Sequence, residues 1–144
     1  MDRRSVIMKI NKSLVGKIKE TTRRTTAVLF SIDGEEYIIN VSTFPSVEIK
    51  EKLIQEMVAI TEEVVEKYGE ETVGLFVFAK IMTDIEWTED FDENMELFLS
   101  LTEIGVVNKI FDAIPETTMQ DLASFASQIA ETQEQLLEVQ KSSK

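Results

Sequence analysis

The sequence predicts an α+β fold dominated by helices: an N-terminal β-hairpin or small antiparallel sheet, followed by four to five α-helices. Three observations carry this. Asp33-Gly34 separates two runs rich in β-branched and aromatic residues, the strongest short-range signal for a two-residue hairpin turn. From Pro45-Ser46 onward, apolar residues recur at spacings of three and four, the period of an amphipathic helix. The chain has 144 residues, 43% of them hydrophobic, which is the length of one ordinary domain with enough apolar mass for a core. Residues 1–144 therefore read as a single domain.

In chain order, the first feature is a basic arm. Residues 1–24 hold eight Lys or Arg and two acids, a local charge of +6 that leaves −18 for the remainder of a chain whose total is −12. Such an arm suits nucleic acid or lipid, and it suits equally well the acidic remainder of this chain or a second copy of it, so a homo-oligomer is one expectation. The overall charge repels a nucleic-acid backbone, and no nucleic-acid partner is expected. Within the arm, "VIMKI" at 6–10 is a candidate third strand, and residues 11–24 are ambiguous between helix and strand.

The hairpin has a definite register. If Ile32 faces Glu35, then Phe30 faces Tyr37, Val28 faces Ile39 and Thr26 faces Val41, which makes one face of the ribbon mostly apolar. A lone hairpin is marginal in water, so helices or a third strand must cover that face.

After Ser46, the positions Ile49, Leu53, Ile54, Met57, Ile60, Val64, Val65 and Tyr68 predict one amphipathic helix ending at Gly69. "EETVGLFVFAKIM" predicts a buried helix reaching Ile85, although Gly74 weakens a helix by about 1 kcal/mol relative to Ala. Asp90 is a helix N-cap, Glu93 can reach back toward it, and acids in the first turn suit the positive end of the dipole. That helix runs through Met95, Phe98, Leu99 and Leu101 to Gly105. "VVNKIFDAI" makes a short helix before Pro115. The last helix, over 117–141, takes Thr117 or Thr118 as its cap and can protrude from the domain.

Composition narrows the chemistry. The chain has no cysteine and no histidine, which excludes disulfides, thiolate or imidazole zinc sites and the serine triad. Seven carboxylates lie between Asp84 and Glu96, and they raise the question of calcium. Asp90, Asp92 and Asn94 match the first three ligand positions of an EF-hand loop, but its glycine position holds Met95 and its bidentate glutamate position holds Leu101. Starting at Asp84 places Glu89 and Met95 there instead. Capping and solvation explain these acids better than a metal or a catalytic pair. Gly16-Lys17 fails as a phosphate loop, because Asn11 stands where a glycine belongs and Ile18 where Ser or Thr belongs. The residues therefore assign no catalytic group, no metal ligand and no cofactor. The longest apolar run, residues 73–79, falls short of the roughly 20 residues that span a bilayer, and a soluble, cytoplasmic protein with no membrane partner is expected.

The candidate binding surface lies on the last helix. Met119, Leu122, Phe125, Ala126, Ile129 and Leu136 mark an apolar side that is thin, because alanines contribute to it and Gln133 and Gln140 interrupt it. Such a stripe either packs on its own domain or meets a partner helix.

The layout of hairpin, amphipathic helix, "FAKIMTDIEWTED", "LTEIGVVNKIFDAIPE" and polar helical tail resembles tail assembly chaperones of long-tailed phages (or prophages) of Gram-positive bacteria, over roughly residues 25–130. Phe78, Lys80, Thr83, Asp84, Ile85 and the 105–115 segment carry the resemblance; the basic arm does not map onto it. It implies a small, acidic, non-enzymatic protein of the host cytoplasm, not expected in the mature virion. It also implies binding of the long helical tape-measure protein, whose apolar stripes are shielded until tail-tube subunits polymerise around it. Two other classes remain compatible with the residues: a cytosolic adaptor or regulatory protein-binding module of a mobile element, and a carboxylate-based, metal-dependent enzyme centred on residues 84–93.

Overall fold

The structure, a computed structural model, describes residues 12–142, with side chains to residue 139. Among these the order is α1 (Lys12–Thr22), β1 (Thr25–Ile32), β2 (Glu35–Ser42), α2 (Val47–Ala59), α3 (Glu62–Tyr68), α4 (Glu70–Met82), α5 (Phe91–Glu103), α6 (Val106–Ala113) and α7 (Glu116–Ser142). This is the helix-dominated α+β arrangement expected, with an N-terminal two-stranded antiparallel sheet. Six helices follow the hairpin, where four to five were expected. The strand proposed at 6–10 lies outside the described residues, and the ambiguous stretch after it is largely helix α1.

The hairpin pairs in the register its alternation predicts: Thr26 with Val41, Val28 with Ile39, Phe30 with Tyr37 and Ile32 with Glu35. Asp33 and Gly34 both have positive φ, 52° and 82°, which is the backbone of a two-residue turn whose twist matches that of the strands. Val28, Ile39 and Val41 are buried on the inner face, while Leu29 and Ile38 point outward. Gly34→Val forces a β-branched side chain into positive φ and is expected to cost about 1–3 kcal/mol. Denaturant unfolding followed by the single tryptophan, Trp87, measures it, and an unchanged midpoint would show that the turn bears no such constraint.

The expected helix from residue 49 to Gly69 is two helices. Its period is continuous, but Ile60 takes an extended conformation and its N–H bonds back to Met57. Thr61 then caps α3, its hydroxyl accepting from the Val64 N–H at 3.3 Å. Thr61 followed by Glu62 and Glu63 is a helix-start signature inside a helical period, and the break lets α3 turn onto α4.

The buried helix is real but ends at Met82 rather than Ile85. α4 buries Val73, Phe76, Val77, Ala79, Ile81 and Met82. Thr83 is extended and bridges Val41 of β2. Asp84 completes the exchange: its N–H donates to the Asn40 carbonyl at 3.1 Å, and its carboxylate accepts from the Asn40 N–H and Nδ2, both at 2.8 Å. Residues 83–84 thus continue the sheet beyond β2, because Asn40 offers backbone partners that another helical turn would not.

α5 turns Met95, Phe98 and Leu101 inward as expected, together with Asn94, whereas Leu99 is exposed. Asn94 is satisfied by a reciprocal pair with the Thr88 backbone, donating to its carbonyl and accepting from its N–H, both at 2.8 Å. Gly105 (φ 81°) separates α5 from α6. α7 begins at Glu116, one residue before the expected caps. Thr118 is buried and donates to the Thr43 carbonyl at 2.8 Å, which ties α7 to the end of the hairpin. At the centre, Phe76 meets Trp87, Phe91 and Phe98 edge-on, with ring centroids 5.3–5.6 Å apart.

Candidate functional site

Four of the seven carboxylates in the acidic stretch make structural contacts, while Glu86, Glu89 and Glu96 are exposed. Asp84 clamps the sheet as described. Asp90 caps α5, its carboxylate accepting from the Asp92 and Glu93 N–H groups at 3.0 and 3.3 Å. Glu93 reaches the capping residue indirectly, lying 3.2 Å from the Thr88 hydroxyl, which in turn accepts the Asp90 N–H at 3.2 Å. Asp92 accepts from the Tyr68 hydroxyl at 2.6 Å and from Lys67 at 3.2 Å. These bonds hold the Asp92 carboxyl below its ordinary value of 3.8, the Tyr68 bond first and Lys67 second, and Asp92 raises Lys67 and Tyr68 in return. A lowered carboxylate stabilises the fold above the ordinary carboxylate range and loses that contribution as pH falls through it; at this exposed site the effect is small. Among the described residues, no group of three or more Asp or Glu is placed to hold a metal ion.

The residues singled out on α7 divide into three groups. Leu122 is wholly buried in the core, so it serves the fold and offers a partner nothing: the expectation of a binding residue is corrected there. Met119, Phe125, Ala126 and Ile129 are half-buried against that core. Leu136 is 59% exposed and its neighbour Leu137 57%.

The cause is the relation of α7 to α2. Lys50 pairs with Asp121 at 3.1 Å and lies over the Phe125 ring at 5.5 Å. Ile54 and Val58 then face Phe125 and Ile129, so the two helices run side by side in the same direction. α2 stops at Ala59, opposite Gln133, and α7 continues to Ser142. Met119, Leu122, Ala126, Ile129, Gln133 and Leu136 alternate spacings of three and four, which is the seam of a helix that packs on another helix. The first part of this seam is covered by its own domain, and among the described residues Leu136, after Gln133, is exposed.

Two apolar grooves flank α7 where the cover ends. The first, of about 380 Å³, lies between α2, α3, α4 and α7 and is lined by Leu53, Met57, Ile60, Val73, Val77 and Phe78, with Ala126 and Gln133 at the α7 side. The second, of about 390 Å³, lies on the other side, between Ile54 and Val58 of α2 and Phe125 and Ile129 of α7. Gly74 forms part of the first groove, and a Cβ built there meets nothing within 4 Å. Gly74 is a glycine in a helix interior where alanine would fit without contact, and it leaves open space at the groove wall.

Sequence reasoning on α7 alone misses the α2 and α4 walls. The signal that could have found them is Gly74 itself, a helix-weakening residue in an otherwise strongly apolar helix. The described lining of the grooves is apolar apart from Glu70, Gln128, Thr132 and Gln133. No helix among the described residues is long and apolar enough to cross a membrane. Comparison with protein-family models, with curated proteins and with solved structures returns no match to this chain.

Proposed function

We propose that this protein is a non-enzymatic tail assembly chaperone of the host cytoplasm that holds amphipathic helical segments of a tape-measure protein and releases them to tail-tube subunits. The sequence resemblance motivates the reading. The observation that supports it is the continuity of an apolar groove with an uncovered helical seam, the shape that an amphipathic helix docks into through residues spaced at three and four. From Ala126 in the groove lining to Leu136 on the uncovered seam, groove and seam together run about 15 Å at 1.5 Å per residue, close to three turns of a client helix.

Gly74→Leu is the test, because it projects into the first groove from a position where an added Cβ meets nothing within 4 Å. The variant is expected to fold as well as the parent, and to gain up to about 1 kcal/mol from the better helix former. Its hold on a recombinant tape-measure fragment from the same phage genome should weaken about tenfold or more, the effect of blocking a binding hot spot. Equal retention of that fragment by Gly74→Leu and parent in a quantitative pull-down would refute this placement of the client site.

A further inference from the structure

We propose that the groove between α2, α3, α4 and α7 also accepts helix α1 of a second copy of this chain. α1 is a helix without a buried residue, although Leu14, Val15 and Ile18 gather on one of its sides together with Thr22. Lys17 and Lys19 border that stripe, and Arg23 and Arg24 follow it. A short helix gains little stability by itself in water and needs a surface for its apolar side.

The groove has the complementary form. Its floor is apolar, and its α3 and α4 rim is acidic: Glu70 stands at its edge, and Glu62 and Glu66 line the adjoining hollow, which shares Ile60 and Val65 with it. An apolar stripe bordered by lysines thus faces an apolar floor bordered by glutamates. The lengths agree as well. Leu14 to Thr22 spans about 12 Å, and so does the groove wall from Glu70 to Phe78, at 1.5 Å per residue.

The occupant is another copy because of where α1 is tied. The Arg24 carbonyl accepts from the Thr43 N–H and hydroxyl, both at 3.2 Å. The end of α1 therefore stays beside the first turn of α2, where Thr22 and Arg23 share a cleft with Ser46, Glu48 and Ile49. The groove lies around Met57 and Ile60, toward the opposite end of α2, and on α1 Leu14 and Thr22 are only half-buried while Val15 and Ile18 are exposed. Exchange between copies brings the +6 arm onto the −18 remainder and satisfies both surfaces.

The inference rests on the groove as a helix acceptor and not on the identity of any client, so the experiment uses the full-length protein alone. Sedimentation velocity over a concentration series should show reversible self-association that weakens as salt is raised, because the rim contacts are exposed ion pairs. Ile18→Asp and Gly74→Leu should each shift the association at least about tenfold toward monomer, with circular dichroism unchanged, since neither position supports the core. Because the native chain lacks cysteine, mixing Ile18→Cys chains with Met57→Cys chains under mild oxidation should give a disulfide-linked heterodimer. A chain that stays monomeric at every concentration, association indifferent to both variants, or no Ile18→Cys to Met57→Cys crosslink would each overturn the proposal. A crosslink formed only within single chains of the Ile18→Cys, Met57→Cys double variant would overturn it as well, by making α1 an intramolecular strap.

Discussion

Phe76→Ala is expected to be the most damaging single truncation, costing about 3–5 kcal/mol of unfolding free energy. Phe76 is fully buried and is the ring on which the molecule converges. It projects from α4, meets Phe91 and Phe98 of α5, and meets Trp87 of the segment joining α4 to α5. Removing it takes away the transfer free energy of the ring, three edge-on aromatic contacts and the contacts of a cavity wall that packed neighbours cannot collapse to fill. A domain of this size has only about 5–15 kcal/mol to lose. Trp87 reports the event directly, because its own ring packs on Phe76, so its emission should shift in the folded state of the variant as well as on unfolding. A loss below about 1 kcal/mol in chemical denaturation, the ordinary size for a point mutant, would mean that the aromatic cluster is not the centre of the core.

The second large effect separates the two halves of α7. Leu122→Ala should cost about 2–5 kcal/mol, because Leu122 is fully buried. Leu136→Ala, one seam position of the same kind fourteen residues later in the same helix, should stay within about 0.5 kcal/mol. The pair forms an internal control: same residue type, same helix, same change, and different cover. Thermal or denaturant midpoints measure both. Equal losses at the two positions would place Leu136 in the core and remove the uncovered seam on which the client reading stands. Phe125 and Ile129, half-buried between α2 and the grooves, are poor discriminators by comparison, since an aspartate at either would disturb packing and docking together.

Much of this fold is legible in the chain because its signals are local. Asp33-Gly34 supplies the two positive φ angles a tight hairpin needs, and the alternation of Val28, Phe30, Tyr37, Ile39 and Val41 leaves a single register that buries an apolar face. Asp90 satisfies backbone N–H groups two and three residues away, so its capping role follows from spacing alone. α4 is strongly apolar over thirteen residues, and such a segment has no stable place except inside.

Tertiary structure decided what those signals do not carry. An unbroken period of three and four runs from Ile49 to Tyr68, yet the chain breaks at Ile60 and Thr61, because the break allows α3 to cover α4 while Thr61 satisfies the new helix start. The end of α4 depends on Asn40, some forty residues away, whose backbone and amide take Asp84 out of the helical path. The stripe on α7 is continuous in sequence but is cut in two by the length of α2, which buries Leu122 and leaves Leu136 exposed. Periodicity states which side of a helix is apolar; what lies against that side, and where the cover stops, is set by contacts between residues far apart in the chain. The groove at Gly74 exists only where four such helices meet.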